Sequence, residues 1–475
     1  MGVRLETERV LPSIALHPGM RIHLIGIAGA GLSAIAQVLL DQGIVVSGSD
    51  LNVNAAARAL ARAGARIYQG HRSEQVNDAQ LVLVSSAVPH DNVELRAARR
   101  AGIPTMKRDR FLGLLTKGKR VVAVAGTHGK TTTTAMIATM LLAGNQDPSF
   151  IVGGIVAALG KGARAGAGPD FVIEADEYDQ TFLGLKPQIA VVTNVEWDHV
   201  DCYPTPESFW DAFVAFSDRL PDDGTLIACH DDPGAWALGK RRRQIGLPVI
   251  TYGLTGQADW QAAEIHPNEV GGNSFIAVYQ GETMGEVVLR VPGRHNVANA
   301  LAALAAACEV DLDFGTATSG LRAFAGTGRR LEWKGEVQGI TVFDDYAHHP
   351  TEVRATLAAL RERFPRRPIW AVFQPHTFSR ARAFASTFAR SFGKADHVVI
   401  TDIYAARERD LGQMHSTQIL AAMQHPDARY IGELADVATY LVGHLEPDAI
   451  VVTLGAGDGY QVGEMVLARL RETNR

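Results

Sequence analysis

The segment VVAVAGTHGKTTTT, residues 121–134, constrains this chain more than any other stretch. Its apolar residues end at Gly126, which predicts a buried strand followed by a tight turn and a helix. Glycines such as Gly129 let the backbone wrap an anion without Cβ clashes, and N–H groups at a helix start bind phosphate oxygens. Lys130 adds charge near the β- and γ-phosphates, and Thr131 offers a hydroxyl for Mg²⁺. The segment therefore predicts a site for ATP.

The spacing departs from the usual GxxxxGK[ST] loop, because the first glycine is two residues closer to Lys130. A glycine-rich turn with a solvated lysine is the structural alternative. The strand before the turn and the four threonines after it favour the phosphate loop. The predicted ATP-binding turn comprises Gly126, Thr127, His128, Gly129, Lys130, Thr131 and Thr132.

Strand and helix patterns alternate along almost the whole chain, which predicts an α/β fold with parallel sheets covered by helices on both faces. The length of 475 residues suggests about three domains. We place them at 1–116, 117–325 and 326–475. The first and third are expected to be Rossmann-like, and the central one to be of the P-loop ATPase type with a mostly parallel sheet.

Composition and charge exclude several classes of protein. The formal net charge is −5 and no stripe of Lys or Arg is present, so nucleic acid is not an expected partner. The start, MGVRLETERVLPS, lacks an apolar signal core, and no apolar stretch is long enough to span a membrane. Cys202, Cys229 and Cys308 form no CxxC unit, so free thiols and a cytoplasmic location are expected.

Two polar clusters follow apolar strands of the central block. Because ligands bind beyond the carboxyl ends of parallel strands, and Mg²⁺ prefers hard oxygen ligands, these clusters predict a magnesium site. Histidine is a less usual ligand for this ion, and two simply solvated acidic loops remain the alternative. The clusters consist of Glu174, Asp176, Glu177 and Asp179 in the first, and Glu196, Asp198 and His199 in the second.

A second glycine-rich turn, residues 26–31, follows the strand IHLIGI. From Gly29 the run GAGLSA fits the looser GxGxxA form of the dinucleotide fingerprint, and Asp50 ends the next strand, where an acidic residue usually meets a ribose. On these residues alone, a nicotinamide-dependent oxidoreductase remains open.

The motifs GTHGKTTTT, EADEYD, TNVEWDH, PGRHNVANA and DDYAHHPTEV together resemble the Mur ligases, which build the peptide stem of bacterial peptidoglycan. IHLIGIAGAGLSAIA and FQPHTFSRARAF resemble the members that use UDP-N-acetylmuramate and L-alanine. The resemblance implies that the first domain holds the UDP-sugar, the central domain ATP, and the third the amino acid. It further implies that ATP phosphorylates the sugar carboxylate to an acyl phosphate and releases ADP, and that the amine then attacks the acyl phosphate and phosphate leaves.

The resemblance also assigns roles to residues. The catalytic set is Lys130, Glu174, His199, His348 and Arg380. The metal ligands are Thr131, Glu174 and His199. ATP is further bound by His295, Asn296, Arg329 and Asp345. The UDP-sugar is bound by Gly26, Ala28, Gly29, Ala30, Gly31, Asp50, His71 and Ser86, with Asn92 as a lesser candidate. The amino acid is bound by Tyr346, His348, His376 and Arg380.

Several alternatives stay open at this point. Asn296 also suits a helix N-cap, and His71 could be a surface histidine. Arg329 could be a solvated charge of the linker, and Arg380 with Arg382 could form a solvated helix face. A relative that attaches a preformed peptide to the same sugar nucleotide is the alternative function. We expect a monomer or a weak homodimer.

Overall fold

The computed structural model describes residues 14–472, so the whole N-terminal segment MGVRLETERVLPS lies outside the described residues. Three sheets follow one another along the chain. The α/β fold and its mostly parallel sheets are confirmed. Within the described part, no helix combines the length and apolarity needed to cross a membrane.

The N-terminal sheet has five parallel strands in the order β3-β2-β1-β4-β5. Its central strands are apolar and buried, as expected of a sheet covered on both faces. A 3-10 turn lies at Ser73–Val76. The elements are β1 (Arg21–Ile25), α1 (Ala30–Asp41), β2 (Val45–Asp50), α2 (Ala55–Arg62), β3 (Arg66–Gln69), β4 (Leu81–Val84), α3 (Val93–Arg100), β5 (Thr105–Lys107) and α4 (Arg108–Leu115).

The central sheet has ten strands, and its parallel core is flanked by antiparallel strands at both edges. Its first elements are β6 (Arg120–Ala125), α5 (Lys130–Ala143), β7 (Ser149–Val156), β8 (Lys161–Arg164), β9 (Asp170–Glu174), a 3-10 segment (Tyr178–Gly184), β10 (Ile189–Val192) and α6 (Pro206–Ser217). They are followed by β11 (Thr225–Cys229), α7 (Pro233–Gln244), β12 (Val249–Gly253), β13 (Trp260–Pro267), β14 (Asn273–Tyr279), β15 (Glu282–Val288), α8 (Arg294–Cys308) and α9 (Phe314–Ala323).

The strand order of the central sheet is β15-β14-β13-β12-β11-β10-β6-β9-β7-β8. Strand β6 therefore lies between β10 and β9, and residues that follow these three strands meet at one edge. Helix α5 is buried from Thr131 to Leu141. This burial fixes the loop before it against the carboxyl edge of the sheet.

The C-terminal sheet has six strands in the order β16-β17-β21-β18-β19-β20, with only β16 antiparallel. Pro350 occupies the first turn of helix α10, as its fixed φ favours. The elements are β16 (Glu332–Val337), β17 (Ile340–Asp345), α10 (Pro350–Arg363), β18 (Ile369–Phe373), α11 (Phe378–Phe388), β19 (His397–Ile400), α12 (Ser416–Ala421), β20 (Ala428–Tyr430), α13 (Leu434–His444), β21 (Ile450–Leu454) and α14 (Tyr460–Glu472).

Candidate active site

The phosphate loop joins β6 to α5 and uses backbone conformations that glycine permits. φ is 133° at Gly126 and 81° at Gly129. A Cβ at Gly126 would lie 2.0 Å from Thr193 Oγ1, and one at Gly129 would lie 2.5 Å from Asn299 Oδ1. Both positions therefore require glycine. The first N–H groups of α5 have no acceptor within the helix, which is what an anion site requires.

Oxygen atoms of the central domain hold the ammonium group of Lys130. It donates to the carbonyl of Thr127 over 3.1 Å and to the carboxylate of Glu177 over 3.0 Å. Burial lowers the pKa of Lys130, but the charges of Glu177 and Glu174 outweigh it, so the pKa is raised. Lys130 is therefore charged at neutral pH. It lies where the motif places a cation beside the β- and γ-phosphates.

Thr131 and Glu174 form a pair of hard oxygen donors beside the loop. Thr131 Oγ1 donates to Glu174 Oε1 over 3.1 Å, and the Gly153 N–H donates to Glu174 Oε2 over 2.6 Å. Burial raises the pKa of the Glu174 carboxyl, although Lys130 acts against it. A buried carboxyl next to a hydroxyl suits Mg²⁺ that bridges phosphates, so these residues fit the expected metal.

His199, the third expected metal ligand, is an ion-pair partner of Glu177 in this structure. Its Nε2 lies 3.1 Å from Glu177 Oε1. Burial lowers the pKa of His199, but Asp198 and Glu177 outweigh burial and raise it. In this structure Nε2 of His199, one of its two possible ligand atoms, therefore faces Glu177. Its role as a ligand stays a prediction.

Two carboxylates of the first acidic cluster contact the N-terminal domain instead of the phosphate loop. Arg108 donates to Asp176 over 2.6 Å, and Ser86 Oγ donates to Asp179 over 2.6 Å. They therefore belong to the junction between these two domains and not to the Thr131–Glu174 pair.

The start of helix α8 corrects one alternative from the sequence. Its N-cap is Gly293, so the N-cap assignment for Asn296 is wrong. Asn296 lies in the first turn, where its amide donates to the Pro292 carbonyl over 2.7 Å and accepts from Asn299 over 3.2 Å. This places the two asparagines beneath Gly129, and His295 lies exposed on the same turn.

The two linker arginines make different contacts, and the role of Arg329 in ATP binding stays a prediction. Arg329 donates to Asp344 over 2.9 Å and to the carbonyl of Gly455 over 2.7 Å, so it is bound within the C-terminal domain. The alternative of a solvated charge is therefore wrong. Arg330, which the sequence reasoning did not select, approaches the phosphate loop, with 3.4 Å to Thr131 Oγ1.

Asp345 lies buried at the end of β17. Its carboxylate accepts from the N–H groups of Leu331 and Ala347, both over 2.8 Å, and from Thr356 Oγ1 over 3.2 Å. Burial raises the pKa of Asp345 to about 6. Its role in ATP binding stays a prediction.

The N-terminal glycine-rich turn closes on the strand that follows it. The Ala28 N–H donates to Asp50 Oδ2 over 3.0 Å, and Gly29 is the N-cap of α1. Gly26 has φ of 86°, and Arg108 lies against Gly31, where a Cβ would be 2.1 Å from its Nη1. The N–H groups of residues 26–29 all donate to protein oxygens. The first N–H groups of α1, from Ala30 onward, are the ones that have no acceptor within the helix.

His71 is anchored to a buried carboxylate, so the alternative of a free surface histidine is wrong. Its Nδ1 lies 2.8 Å from Glu94 Oε2, and Ser49 Oγ donates to the same oxygen over 2.5 Å. Glu94 is fully buried and also faces His23 at 3.4 Å. Asn92 caps helix α3 by accepting from the Glu94 N–H over 2.9 Å, which accounts for this residue structurally.

The expected amino-acid residues group around one buried ion pair. His348 and His376 have ring centroids 5.9 Å apart, and His348 contacts the Tyr346 ring at 5.2 Å. Burial lowers the pKa of His348 to about 4 and that of His376 to about 3, so both are neutral at pH 7. Arg380 Nη1 lies 3.1 Å from His376 Nδ1.

The ion pair itself joins the central and C-terminal domains. Arg380 donates to both oxygens of Asp198, over 2.8 and 3.1 Å, and the two side chains are 7% and 4% exposed. The alternative of a solvated face is therefore wrong for Arg380, although Arg382 bonds to exposed Gln413. Asp198 accepts from Nε and Nη2, and Nη1 lies beside His376, so Nη1 and Nη2 each keep one further N–H for a ligand.

The central domain carries the phosphate loop and stands between two further α/β domains, with oxygen donors and cations at the junction. This arrangement defines the class of three-domain, ATP-dependent ligases. Comparison with known proteins agrees. The Mur ligase family catalytic-domain model matches residues 21–120, the Mur ligase middle-domain model matches 124–307, and the Mur ligase glutamate ligase domain model matches 329–457. The chain belongs to the Mur ligase family.

Individual relatives match over nearly the full length. The chain is 45% identical to the UDP-N-acetylmuramate–L-alanine ligase of Roseiflexus sp. (strain RS-1), across 96% of this chain and 100% of that protein. The crystal structure of a UDP-N-acetylmuramate-alanine ligase from Thermotoga maritima is 28% identical, with a TM-score of 0.80 and coverage of 96% and 100%. A murein peptide ligase from Psychrobacter arcticus is 27% identical, with a TM-score of 0.71 and coverage of 95% and 99%. Family membership sets aside the nicotinamide-dependent oxidoreductase.

Proposed function

We propose that this chain uses ATP to join the amine of L-alanine to the carboxylate of UDP-N-acetylmuramate, giving ADP and phosphate, in the synthesis of peptidoglycan precursors. The observation that carries the proposal is the phosphate loop, which Arg330 of the linker approaches, while the Asp198–Arg380 pair joins the central and C-terminal domains. The names of the relatives, matched over nearly the whole chain, support this substrate pair. Mg²⁺, a monomer or weak homodimer, and a cytoplasmic location belong to the same proposal.

Phosphoryl transfer from ATP to the sugar carboxylate needs positioning and charge neutralisation more than covalent catalysis. Lys130 and Arg330 bring two cations to the start of α5, where the γ-phosphate would lie. Thr131 and Glu174 would hold Mg²⁺, which neutralises charge on the phosphates when it is bound. The acyl phosphate then carries a good leaving group that the carboxylate lacks.

The ammonium group of alanine must lose one proton before its nitrogen can attack the acyl carbon. His348 Nδ1 lies 2.9 Å from the carbonyl of Tyr346, so this nitrogen carries the hydrogen and Nε2 keeps its lone pair. Nε2 is therefore the atom that would accept a hydrogen bond from the amine. Arg380 Nη1, on the same side of the pocket as His376, would face the alanine carboxylate.

The N-terminal turn would hold the diphosphate of the sugar nucleotide. The N–H groups in the first turn of α1 have no acceptor within the helix and would face the diphosphate. His71 and Ser86 lie on the neighbouring loops. Arg108 lies between this turn and Asp176, so it would place one cation beside the diphosphate. The sugar carboxylate would then point towards the central phosphate loop.

A phosphate-release assay tests the proposal directly. The purified chain receives ATP, Mg²⁺ and UDP-N-acetylmuramate, with L-alanine, glycine, L-serine or a tripeptide supplied in turn. We expect release with alanine, and loss of release in Lys130→Ala. Release with the tripeptide and not with alanine would replace the proposal by the peptide-attaching activity. Full activity of Lys130→Ala would refute the role of the phosphate loop.

A further inference from the structure

The side chain of His128 points from the phosphate loop to carboxylates on two domains. Its Nε2 lies 2.9 Å from Glu196 Oε2 of the central domain, and its Nδ1 lies 3.2 Å from Glu352 Oε1 of helix α10. The ring is only 13% exposed. Both ring nitrogens therefore face carboxylates, which leaves neither of them to bind a phosphate of the nucleotide.

Further groups of the C-terminal domain surround this contact. Thr351 Oγ1 donates to Glu196 Oε1 over 2.8 Å, and the ring of His349 lies 4.8 Å from that of His128. Arg330 lies 3.7 Å from Glu352. The phosphate loop thus meets the start of α10 through several polar contacts that all depend on the position of this helix.

Glu352 also connects His128 to the expected amino-acid site. Its Oε2 accepts from the N–H groups of His348 (2.9 Å) and His349 (3.2 Å) and lies 3.3 Å from His348 Nδ1. A shift of the phosphate loop that moved Glu352 would therefore move the backbone of His348. No other carboxylate on α10 contacts the loop among the side-chain bonds of residues 14–472.

We propose that His128 is a positioning residue that couples nucleotide binding at the phosphate loop to the amino-acid site through Glu352. This inference rests on the proposed function, because it assumes that alanine binds beside His348. Electrostatics support it: burial lowers the pKa of His128, but Glu196 and Glu352 outweigh burial and raise the pKa to about 9. An imidazolium that is hydrogen-bonded to Glu196 and ion-paired with Glu352 is held in one orientation.

A bound metal is the competing explanation for the same side chains. His128, Glu196 and His349 offer ligand atoms that all lie within 4.8 Å of one another. However, His349 Nδ1 accepts from the Thr351 N–H over 3.3 Å and so caps α10. A metal on that nitrogen would break the cap, whereas Nε2 of His349 is buried without a hydrogen-bond partner among the described residues, so Zn²⁺ binding is included in the test below.

A double-mutant cycle tests the coupling. The variants are His128→Gln, Glu352→Gln and the two combined; glutamine at 352 keeps an acceptor for the helix cap. His266→Gln and Glu269→Gln, both at exposed positions of the central domain, are the matched controls. KM is measured for alanine and for ATP, and melting curves check that each variant folds.

We expect each single variant to raise KM for alanine about tenfold, which corresponds to about 1.4 kcal/mol, with KM for ATP within about twofold of the wild type. The combined variant should be no worse than the more affected single variant, because the two residues act through one contact. Additive effects would overturn the proposal. A higher KM for ATP with unchanged KM for alanine would also overturn it, since that result makes His128 a nucleotide ligand.

A second readout separates this inference from the proposed function. Hydrogen exchange of the α10 amides is measured with and without a nonhydrolysable ATP analogue, which requires no ligation. We expect the analogue to slow exchange in the wild type and not in His128→Gln. Loss of this effect in the variant would support the coupling even if alanine proved not to be the substrate. Equal protection in both proteins, or Zn²⁺ binding that depends on His128 and His349, would overturn it.

Discussion

Replacing Asp198 by asparagine should destabilise the junction between the central and C-terminal domains. The carboxylate accepts two bonds from Arg380, and the two side chains are 4% and 7% exposed. Arg380 holds the pKa of Asp198 well below its usual range even though burial opposes this. Removing one partner of a buried pair leaves an uncompensated charge, which costs about 3–5 kcal/mol. Asparagine keeps the volume and one acceptor, so we expect about 3 kcal/mol.

Urea unfolding at pH 7, followed by far-UV circular dichroism, measures this loss in the free energy of unfolding. Asp218→Asn is the matched control, because Arg241 binds Asp218 through two bonds on the surface, with 42% and 50% exposure. Exposed pairs contribute less than about 1 kcal/mol. An Asp198→Asn variant no less stable than this control would refute the electrostatic reasoning.

A neutral replacement of the whole pair separates charge from packing. Asp198→Leu combined with Arg380→Met removes both charges at similar volume, and such replacements of buried pairs are often neutral in stability. We expect the double variant to unfold closer to the wild type than Asp198→Asn does, while phosphate release is lost. A double variant less stable than Asp198→Asn would show that shape, and not charge, determines the stability of this contact.

Three further outcomes are expected. Gly129→Ala should weaken binding of an ATP analogue at least tenfold by calorimetry, because a Cβ would meet Asn299 at 2.5 Å and φ is 81°. Glu94→Gln should raise KM for UDP-N-acetylmuramate with little change in KM for ATP, because it releases His71; equal changes in both would contradict a local role. Burial raises the pKa of Asp345 from 3.8 to about 6, so its stabilising contribution is full below pH 3.8 and is lost as the pH rises through about 6. Between pH 3.5 and 7 this loss amounts to about 3 kcal/mol, and urea unfolding should show that part of the pH slope absent in Asp345→Asn.

The sequence predicts the features that depend on neighbouring residues. The strand, turn and helix around Gly126 and Lys130 follow from local conformational preferences, and so do the N-terminal turn and its following helix. Residues that act across domains carry no such local signal. Arg330 stands next to Arg329 in the same GRR run, and only the fold shows which of the two approaches the phosphate loop.

The same limit applies to the missed carboxylates. In the sequence Glu94 has the pattern of an ordinary helix residue. The fold brings it into contact with His71 and His23, which are distant from it along the chain. Helix α7 shows the opposite case, because its start is local: Asp232 caps it, and Pro233 in its first turn is compatible with a helix start.

The apolar cores indicate which domain is free to move. One continuous cluster of buried apolar residues contains Leu24 and Leu39 of the N-terminal domain together with Val122 and Met140 of the central domain. Within residues 14–472, the buried apolar clusters of the C-terminal domain are separate from it. Domains joined mainly by polar contacts move relative to one another more readily than those that share a core.

The contacts between the central and C-terminal domains are accordingly mostly polar, and such contacts can break and form again. They include the Asp198–Arg380 pair and the His128–Glu352 contact, whose charges water can solvate when the domains separate, and one aromatic contact between Trp197 and Phe384. If alanine enters by movement of the C-terminal domain, closing that domain restores both pairs and returns His348 to the phosphate loop. Under the proposed function, the domains that would hold the sugar nucleotide and ATP share one core and stay together, and the domain that would bind the amine closes last.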